Sequence, residues 1–427
     1  MLDRELPTVA WAEGALIHDT TGKTYIDGAG GALVVGIGHG DSGVVDALSD
    51  QARRVSYVHG TQFTSEPLER YASAIAELLP MEGARIYPVS GGSEATETAL
   101  KIARAYHLAR GDRERHKVIA RATSYHGNTL NALDASGRRS LRAPYEPWLG
   151  RTVRVSAPDE YRCTERSHRT CGSRFADELE EAIQREGPET IACFLAEPIV
   201  GAAQAAVAPP EDYWREVARV CKAHGVLVIA DEVMTGFGRT GAWFACEHYG
   251  LRPDILTAGK GAASGYWPFG FAACSGELFA AIEESGFTHG FTFSHSPVGA
   301  ATAAAVLGKL RGGDLVSASR AKGEWLRTSL QQALSAHPHV GQVRGRGLMI
   351  ALELVADRGS KQPFERGRRV TESLVTAAFD RGLTIYPASG GLGSEGDAIM
   401  LGPPFVITDQ ELARTVEIVV EAVEAVL

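Results

Sequence analysis

The chain has 427 residues, 44% of them hydrophobic, and a formal net charge of −9. That length can bury a large core in two or three domains, and the acidic balance excludes the basic face that a nucleic-acid binder needs. No apolar run reaches the ~18 residues that span a bilayer. The opening Met1-Leu2-Asp3-Arg4-Glu5-Leu6 lacks a signal-peptide layout, so a cytoplasmic setting is expected.

Residues 1–60 read as short strands and turns. Ala15–Asp19 and Lys23–Asp27 flank Thr20-Thr21-Gly22 as a hairpin-like pair, followed by the loop Gly28-Ala29-Gly30-Gly31. Residues 66–79 repeat with helical period, with Leu68, Tyr71, Ile75 and Leu78 on one face. From about 84 to 275, strand alternates with helix. Strands are expected at 84–89, 117–121, 151–155, 191–196, 226–230, 255–258 and 269–274, and helices at 93–110, 176–186 and 211–224. Several of these strands are unbroken apolar runs, the mark of strands covered on both faces of a mostly parallel sheet. An Ala-rich helix follows at 297–312. Helices near 318–335, 366–381 and 408–426, with short strands between them, read as a separate α+β domain.

Six cysteines in so long a chain do not make a disulfide framework. Cys193, Cys246 and Cys274 sit in apolar context as buried thiols. Cys163, His168 and Cys171 lie close together, but their spacing fits no zinc pattern, so a solvated loop is expected there and no metal.

Two residues stand out for chemistry. Asp231 ends the apolar run Val226–Ala230, and Lys260 follows the run Ile255–Ala258 between Gly259 and Gly261. A carboxylate and an amine at the carboxyl ends of buried strands sit where open parallel sheets bind ligands. They are the two protein groups that pyridoxal phosphate requires: an amine to form a Schiff base with the aldehyde, and an acid to keep the pyridine nitrogen protonated. Taken singly, each has a plainer reading, as a turn-capping Asp and a solvated Lys. Ser90-Gly91-Gly92-Ser93 opens a helix after strand 84–89, and backbone N–H groups there can hold a phosphate, with the Ser93 hydroxyl as a further donor. Tyr125, in Tyr125-His126-Gly127, and Val233 could stack on opposite faces of the ring. Glu197 closes strand 191–196 and could bond near the ring hydroxyl.

In order along the chain, Ser90–Ala95, Tyr125-His126-Gly127, Glu197-Pro198, Asp231-Glu232-Val233, Gly236-Phe237-Gly238-Arg239-Thr240-Gly241, Lys260-Gly261, Ser264-Gly265-Tyr266 with Pro268, and His289-Gly290-Phe291-Thr292 resemble the class III, or omega-type, pyridoxal-phosphate aminotransferases. The resemblance runs from about residue 12 to the C-terminus. It implies an α/β fold of type I among enzymes of this cofactor: a large, mostly parallel sheet domain (61–315) and a small α+β domain built from both chain ends (1–60 and 316–427). It implies a homodimer with Lys260 and Asp231 catalytic. Cofactor contacts would come from Gly91, Gly92, Ser93, Tyr125, His126, Glu197 and Val233, with Thr292 reaching the neighbouring subunit's site.

The implied reaction is a ping-pong transfer of an amino group from an amine or amino acid to an oxo-acid, pyruvate or 2-oxoglutarate. Leu33, Val34, Phe63, Tyr125, Trp267 and Tyr386 would line the substrate pocket and favour a bulky, apolar donor. Mutases, epimerases and a decarboxylating aminotransferase share the framework. A nicotinamide dehydrogenase would need G-x-G-x-x-G after a first strand, and Gly36-Ile37-Gly38-His39-Gly40 has the wrong spacing. A silent binding protein is the remaining rival. The chain departs from the family twice. Tyr386 stands where many members carry an arginine for a substrate carboxylate, followed by the Gly-rich run Gly390-Gly391-Leu392-Gly393. Ser294-His295-Ser296-Pro297 replaces the usual Ser-Gly-His-Pro.

Overall fold

The computed structural model describes residues 6–163, 170–390 and 396–427. Three sheets organise them. The first is antiparallel: β1 (Val9–Glu13), β2 (Leu16–Asp19) and β3 (Thr24–Ile26). The second has seven strands: β4 (Arg85–Val89), β5 (Lys117–Arg121), β6 (Thr152–Val155), β7 (Ile191–Ala196), β8 (Leu227–Asp231), β9 (Ile255–Ala258) and β10 (Gly270–Cys274), in the order β4-β10-β9-β8-β7-β5-β6. The third is antiparallel, in the order β11-β12-β14-β13: β11 (Val340–Arg346), β12 (Met349–Leu354), β14 (Asp397–Leu401) and β13 (Tyr386–Ser389).

Every residue of β7 and β8 is buried, because helices cover both faces of the large sheet. Phe194 and Ala196 point to one face and pack with the helices Cys171–Glu186 and Tyr213–His224, through Phe175, Leu179, Trp214 and Val217. Cys193 and Leu195 point to the other and meet Ala99, Ile102 and Ala103 of the helix Gly92–Ala109 and Leu278 and Ile282 of Gly276–Ser285. Only β10 runs against its neighbours, pairing antiparallel with β4 and β9. The carboxyl ends of β5, β7, β8 and β9 therefore lie side by side along one edge.

The first and third sheets are joined near residue 383. Ile26 N donates to Gly382 O at 2.8 Å, and Thr384 N donates to Ile26 O at 3.0 Å. Arg239 is buried and ties distant segments together, giving Nη1 to Leu348 O (3.0 Å) and Pro403 O (2.8 Å) and Nη2 to Val35 O (3.0 Å). Burial without an acidic hydrogen-bond partner pushes its pKa down to about 9. Ser264 Oγ accepts from Gly36 N at 2.8 Å and Ile37 N at 3.1 Å, and Tyr266 Oη donates to Gly38 O at 2.9 Å. The glycine-rich run 36–40 is thus a strap over the 264–266 turn.

The structure departs from the sequence reading in a few places. Ser42–Arg54 is a helix inside the stretch read as strands and turns; Asp41 caps it through Val44 N at 3.1 Å. Its only fully buried residue is Val44, so the apolar stripe is too narrow to read as a period. Cys163 and Cys171 form a disulfide across a separation of 8 residues, where a solvated loop was expected. His168 falls outside the described residues, as do 391–393 of the Gly-rich run. Among the described residues Cys193, Cys221, Cys246 and Cys274 are buried thiols, no group of acidic, His or Cys side chains has metal-site geometry, and no helix is long and apolar enough to cross a membrane.

Two glycines let backbone meet backbone at the sheet edge. A Cβ on Gly270 would lie 2.6 Å from Ala258 O and 3.2 Å from Gly91 C, and one on Gly259 would lie 3.2 Å from Gly92 N. The loops after β4 and β9 can touch only because these side chains are missing. Gly270→Ala is expected to cost about 1–3 kcal/mol, as overpacking against rigid backbone does. The check is the urea unfolding midpoint, which should fall; an unchanged midpoint would contradict this packing.

Candidate active site

Asp231 is the last residue of β8, and its side chain is almost wholly buried. A carboxylate taken out of water needs hydrogen-bond partners, and it has two. Oδ1 accepts from Val233 N at 3.0 Å, and Oδ2 lies 2.7 Å from His126 Nδ1. His126 is set in turn by its backbone: its N–H donates to Ser136 Oγ at 2.8 Å, and its carbonyl accepts from Thr96 Oγ1 at 2.8 Å. Among the described residues, His126 Nε2 is buried without a partner.

Lys260 begins the turn after β9 with φ 40°, a left-handed conformation that a non-Gly residue adopts at a cost. Burial drives its amine pKa down from 10.5 to about 8, against the opposing pull of Asp231 and Glu197. Glu197 follows β7. Burial raises its carboxyl pKa, His126 and Arg121 pull the other way, and Gly201 N donates to Oε1 at 2.9 Å. The Tyr125 N–H approaches its Oε2 at 3.4 Å.

These residues enclose a cavity of about 170 Å³ lined by Gly92, Ser93, Tyr125, His126, Gly127, Glu197, Ala202, Asp231, Val233, Met234 and Lys260. Gly91 adjoins it as the residue before the helix Gly92–Ala109, whose first turn receives no side-chain cap. Its Glu94 is spent on Ser90, accepting from N at 2.9 Å and Oγ at 2.8 Å. The first N–H groups of this helix therefore stay available to an anion. A Cβ on Gly92 would lie 2.7 Å from Val233 Cγ1, whereas one on Gly91 would meet nothing within 4 Å. Ser93 Oγ accepts from Asn128 N at 3.0 Å, which leaves its proton to donate.

The structure thus brings together eight of the residues singled out from the sequence and leaves others apart. Leu33 is buried, packed in a cluster with Ala202, Met234, Met400 and Tyr386. Val34 is half-buried. Tyr386 is half-buried near enough to Tyr125 to raise its hydroxyl pKa, after the larger effect of burial. Phe63, Trp267 and Thr292 are exposed and lie outside the cavity lining. Sequence reasoning missed Ala202 and Met234. Met234 directly follows the Asp231-Glu232-Val233 motif, which is a usable signal. Ala202 carries none: its loop is held by Arg344, which donates Nε to Ala205 O at 2.7 Å and Nη2 to Gln204 O at 2.9 Å.

A strand-end carboxylate and a depressed amine in one cavity, beside an open helix N-terminus, fit pyridoxal phosphate. Residues 3–423 match the family model described as aminotransferase class-III, and the chain belongs to that family. It is a transaminase. It is 40% identical to the uncharacterized aminotransferase YodT of Bacillus subtilis (strain 168) over 428 residues, 100% of this chain and 96% of that protein. The (S)-enantioselective omega-transaminase of Thermomicrobium roseum superposes with a TM-score of 0.94 at 37% identity, over 99% of this chain and 94% of its own. The omega transaminase of Pseudomonas jessenii in complex with PMP superposes with a TM-score of 0.92 at 31% identity, over 99% and 93%. Enzymes of this family use pyridoxal phosphate.

The depressed amine makes a measurable difference. Only the neutral amine attacks an electrophile, so labelling of Lys260 in the cofactor-free protein should rise with pH through a midpoint near 8. Mass spectrometry of the labelled peptide reads it. A midpoint at the ordinary value of 10.5 would contradict the burial of this side chain.

Proposed function

We propose that this cavity holds pyridoxal phosphate and that the chain moves an amino group from a bulky, largely apolar amine to pyruvate or 2-oxoglutarate in two half-reactions. The observation that carries the reading is the pair at adjacent strand ends: Asp231 closing β8 and Lys260 following β9, both facing one cavity. The cofactor supplies an aldehyde that takes up the amine and a protonated ring that draws off electrons. Lys260 Nζ anchors that aldehyde and, once released, is the base that takes the proton from the donor Cα. Asp231 would hold a proton on the ring nitrogen, and His126, at 2.7 Å, aims the Asp231 carboxylate. Gly91, Gly92 and Ser93 would hold the phosphate, Tyr125 and Val233 would cover the two ring faces, and Glu197 would sit towards the ring's substituents.

The apolar preference is supported by Ala202 and Met234 in the lining and by Leu33 and Tyr386 packed with them. A homodimer is supported by exposed aromatics: Phe63 (63% exposed) and Phe293 (68%), with Tyr57 at 6.4 Å from the Phe293 ring. Thr292 belongs to this surface and would serve the partner's site; Phe63 and Trp267 would line a pocket completed across it. The hydrogen bonds between residues 26 and 382–384 support one small domain made of 1–60 and 316–427 beside a large domain of 61–315. Four buried thiols accord with a reducing cytoplasm, where the Cys163–Cys171 bond would open.

Lys260→Ala should lower amine transfer roughly 10²–10⁴-fold, the usual worth of a positioned base, or more, since it also removes the anchor. Asp231→Asn should lower kcat at least 10-fold or so, because an amide cannot hold the ring proton by charge. Keto product and new amino acid, quantified together, read both. Normal turnover by Lys260→Ala without added amine would overturn the assignment.

A further inference from the structure

An oxo-acid brings a carboxylate next to its reacting carbon, and a carboxylate entering a partly dry site needs a cation or several N–H donors. Among the described residues, the cavity lining contains no arginine. The guanidinium groups near the site mostly have other work. Those of Arg239 go to three carbonyls. Arg121 is fully buried, bonded through Nη2 to the Glu197 carbonyl and set 5.8 Å over the Trp214 ring; its Nε and Nη1 have no partner among the described residues, but burial at the end of β5, against that ring, keeps them from an incoming substrate. Arg142 Nη1 binds the carbonyls of Leu133 (2.9 Å), Asp134 (2.7 Å) and Ser136 (2.9 Å), and Arg154 takes Ala135 O at 2.7 Å and Ser136 O at 2.8 Å.

Arg138, in the middle of this group, is uncommitted. It is half-buried, its Nε is shut off from solvent with no hydrogen-bond partner, and among the described residues its guanidinium makes no hydrogen bond or ion pair. Its backbone is pinned beside the site. Gly137 N donates to Ser124 O at 3.0 Å and approaches Ser124 Oγ at 3.2 Å, and Ser136 Oγ accepts from His126 N at 2.8 Å. Residues 136–138 thus run alongside 124–126. The fit is tight: a Cβ on Gly137 would lie 2.0 Å from Ala122 O. The charge on Arg138 is felt at Tyr125, whose hydroxyl pKa burial raises and Arg138 lowers.

We propose that Arg138 grips the carboxylate of the oxo-acid acceptor and so sets the acceptor class of this enzyme. An unpaired, half-buried guanidinium is costly to keep, and its fork of donors matches a carboxylate in two parallel hydrogen bonds. An amine donor without a carboxylate leaves Arg138 unused; the acceptor completes it. The inference rests on the transaminase reading, and the test separates the two.

Cofactor-loaded enzyme is assayed with 1-phenylethylamine as donor and either pyruvate or butanal as acceptor. In Arg138→Met, kcat/KM for pyruvate should fall roughly 10- to 100-fold, mainly through KM, as loss of a charged hydrogen-bond partner does. The value for butanal should change far less, so the pyruvate-to-butanal ratio drops. Arg138→Lys keeps the charge but not the fork, and should lose roughly threefold or more on pyruvate alone; it decides the matter should the Met variant not fold. An unchanged ratio, or an equal fall for both acceptors, overturns the role of Arg138. Absence of transfer to either acceptor by the unaltered enzyme would instead overturn the transaminase reading, and this inference with it.

Discussion

The Asp231 carboxylate, held out of water at the end of β8, is the constraint on which the rest of this structure depends. Such a charge survives burial only with hydrogen bonds of good geometry. The fold supplies a backbone N–H from Val233 and the imidazole of His126, at 3.0 and 2.7 Å. The same side chain lines the cavity, where it can take a further hydrogen bond from a ligand. A protonated pyridine nitrogen would supply that bond. The amine of Lys260 is the complementary case: burial favours its neutral form, which is the form able to bond an aldehyde and take a proton.

Sheet order places these two groups together. β5, β7, β8 and β9 lie side by side and parallel, so Tyr125, Glu197, Asp231 and Lys260 emerge along one edge although 135 positions separate the first from the last. The loop Ser90–Ser93 arrives from β4, beyond the reversed strand β10, and can reach the turn of Lys260 because Gly259 and Gly270 let main chain touch main chain. Arg239 and the Ser264–Tyr266 turn hold the N-terminal strap and the third sheet over the same edge.

Much of this was legible because burial on both faces writes strands as apolar runs, and each functional residue stands directly after such a run. The seven strands of the large sheet fall within a residue or so of their expected places. The helix Ser42–Arg54 was not legible, since a single buried valine sets no period. The cysteine pair was not, because a separation of 8 residues says nothing of loop shape. Ala202 was invisible for another reason: an alanine in a loop carries no chemical mark, and the arginine that places it lies 142 positions away, at residue 344. Arg138 is one of four arginines at 138, 139, 142 and 151; the sequence does not tell the half-buried one beside the 124–126 segment from the exposed Arg139 and Arg151 or from Arg142, which is committed to three carbonyls.

The central claim is one covalent attachment point governed by one carboxylate. Purified enzyme loaded with pyridoxal phosphate, reduced with borohydride, digested and sequenced by mass spectrometry tests it most directly. The account predicts a single stoichiometric pyridoxyl adduct on the peptide containing Lys260, slower to form in Asp231→Asn. An adduct spread over several surface lysines, or fixed on a lysine other than 260, would contradict it.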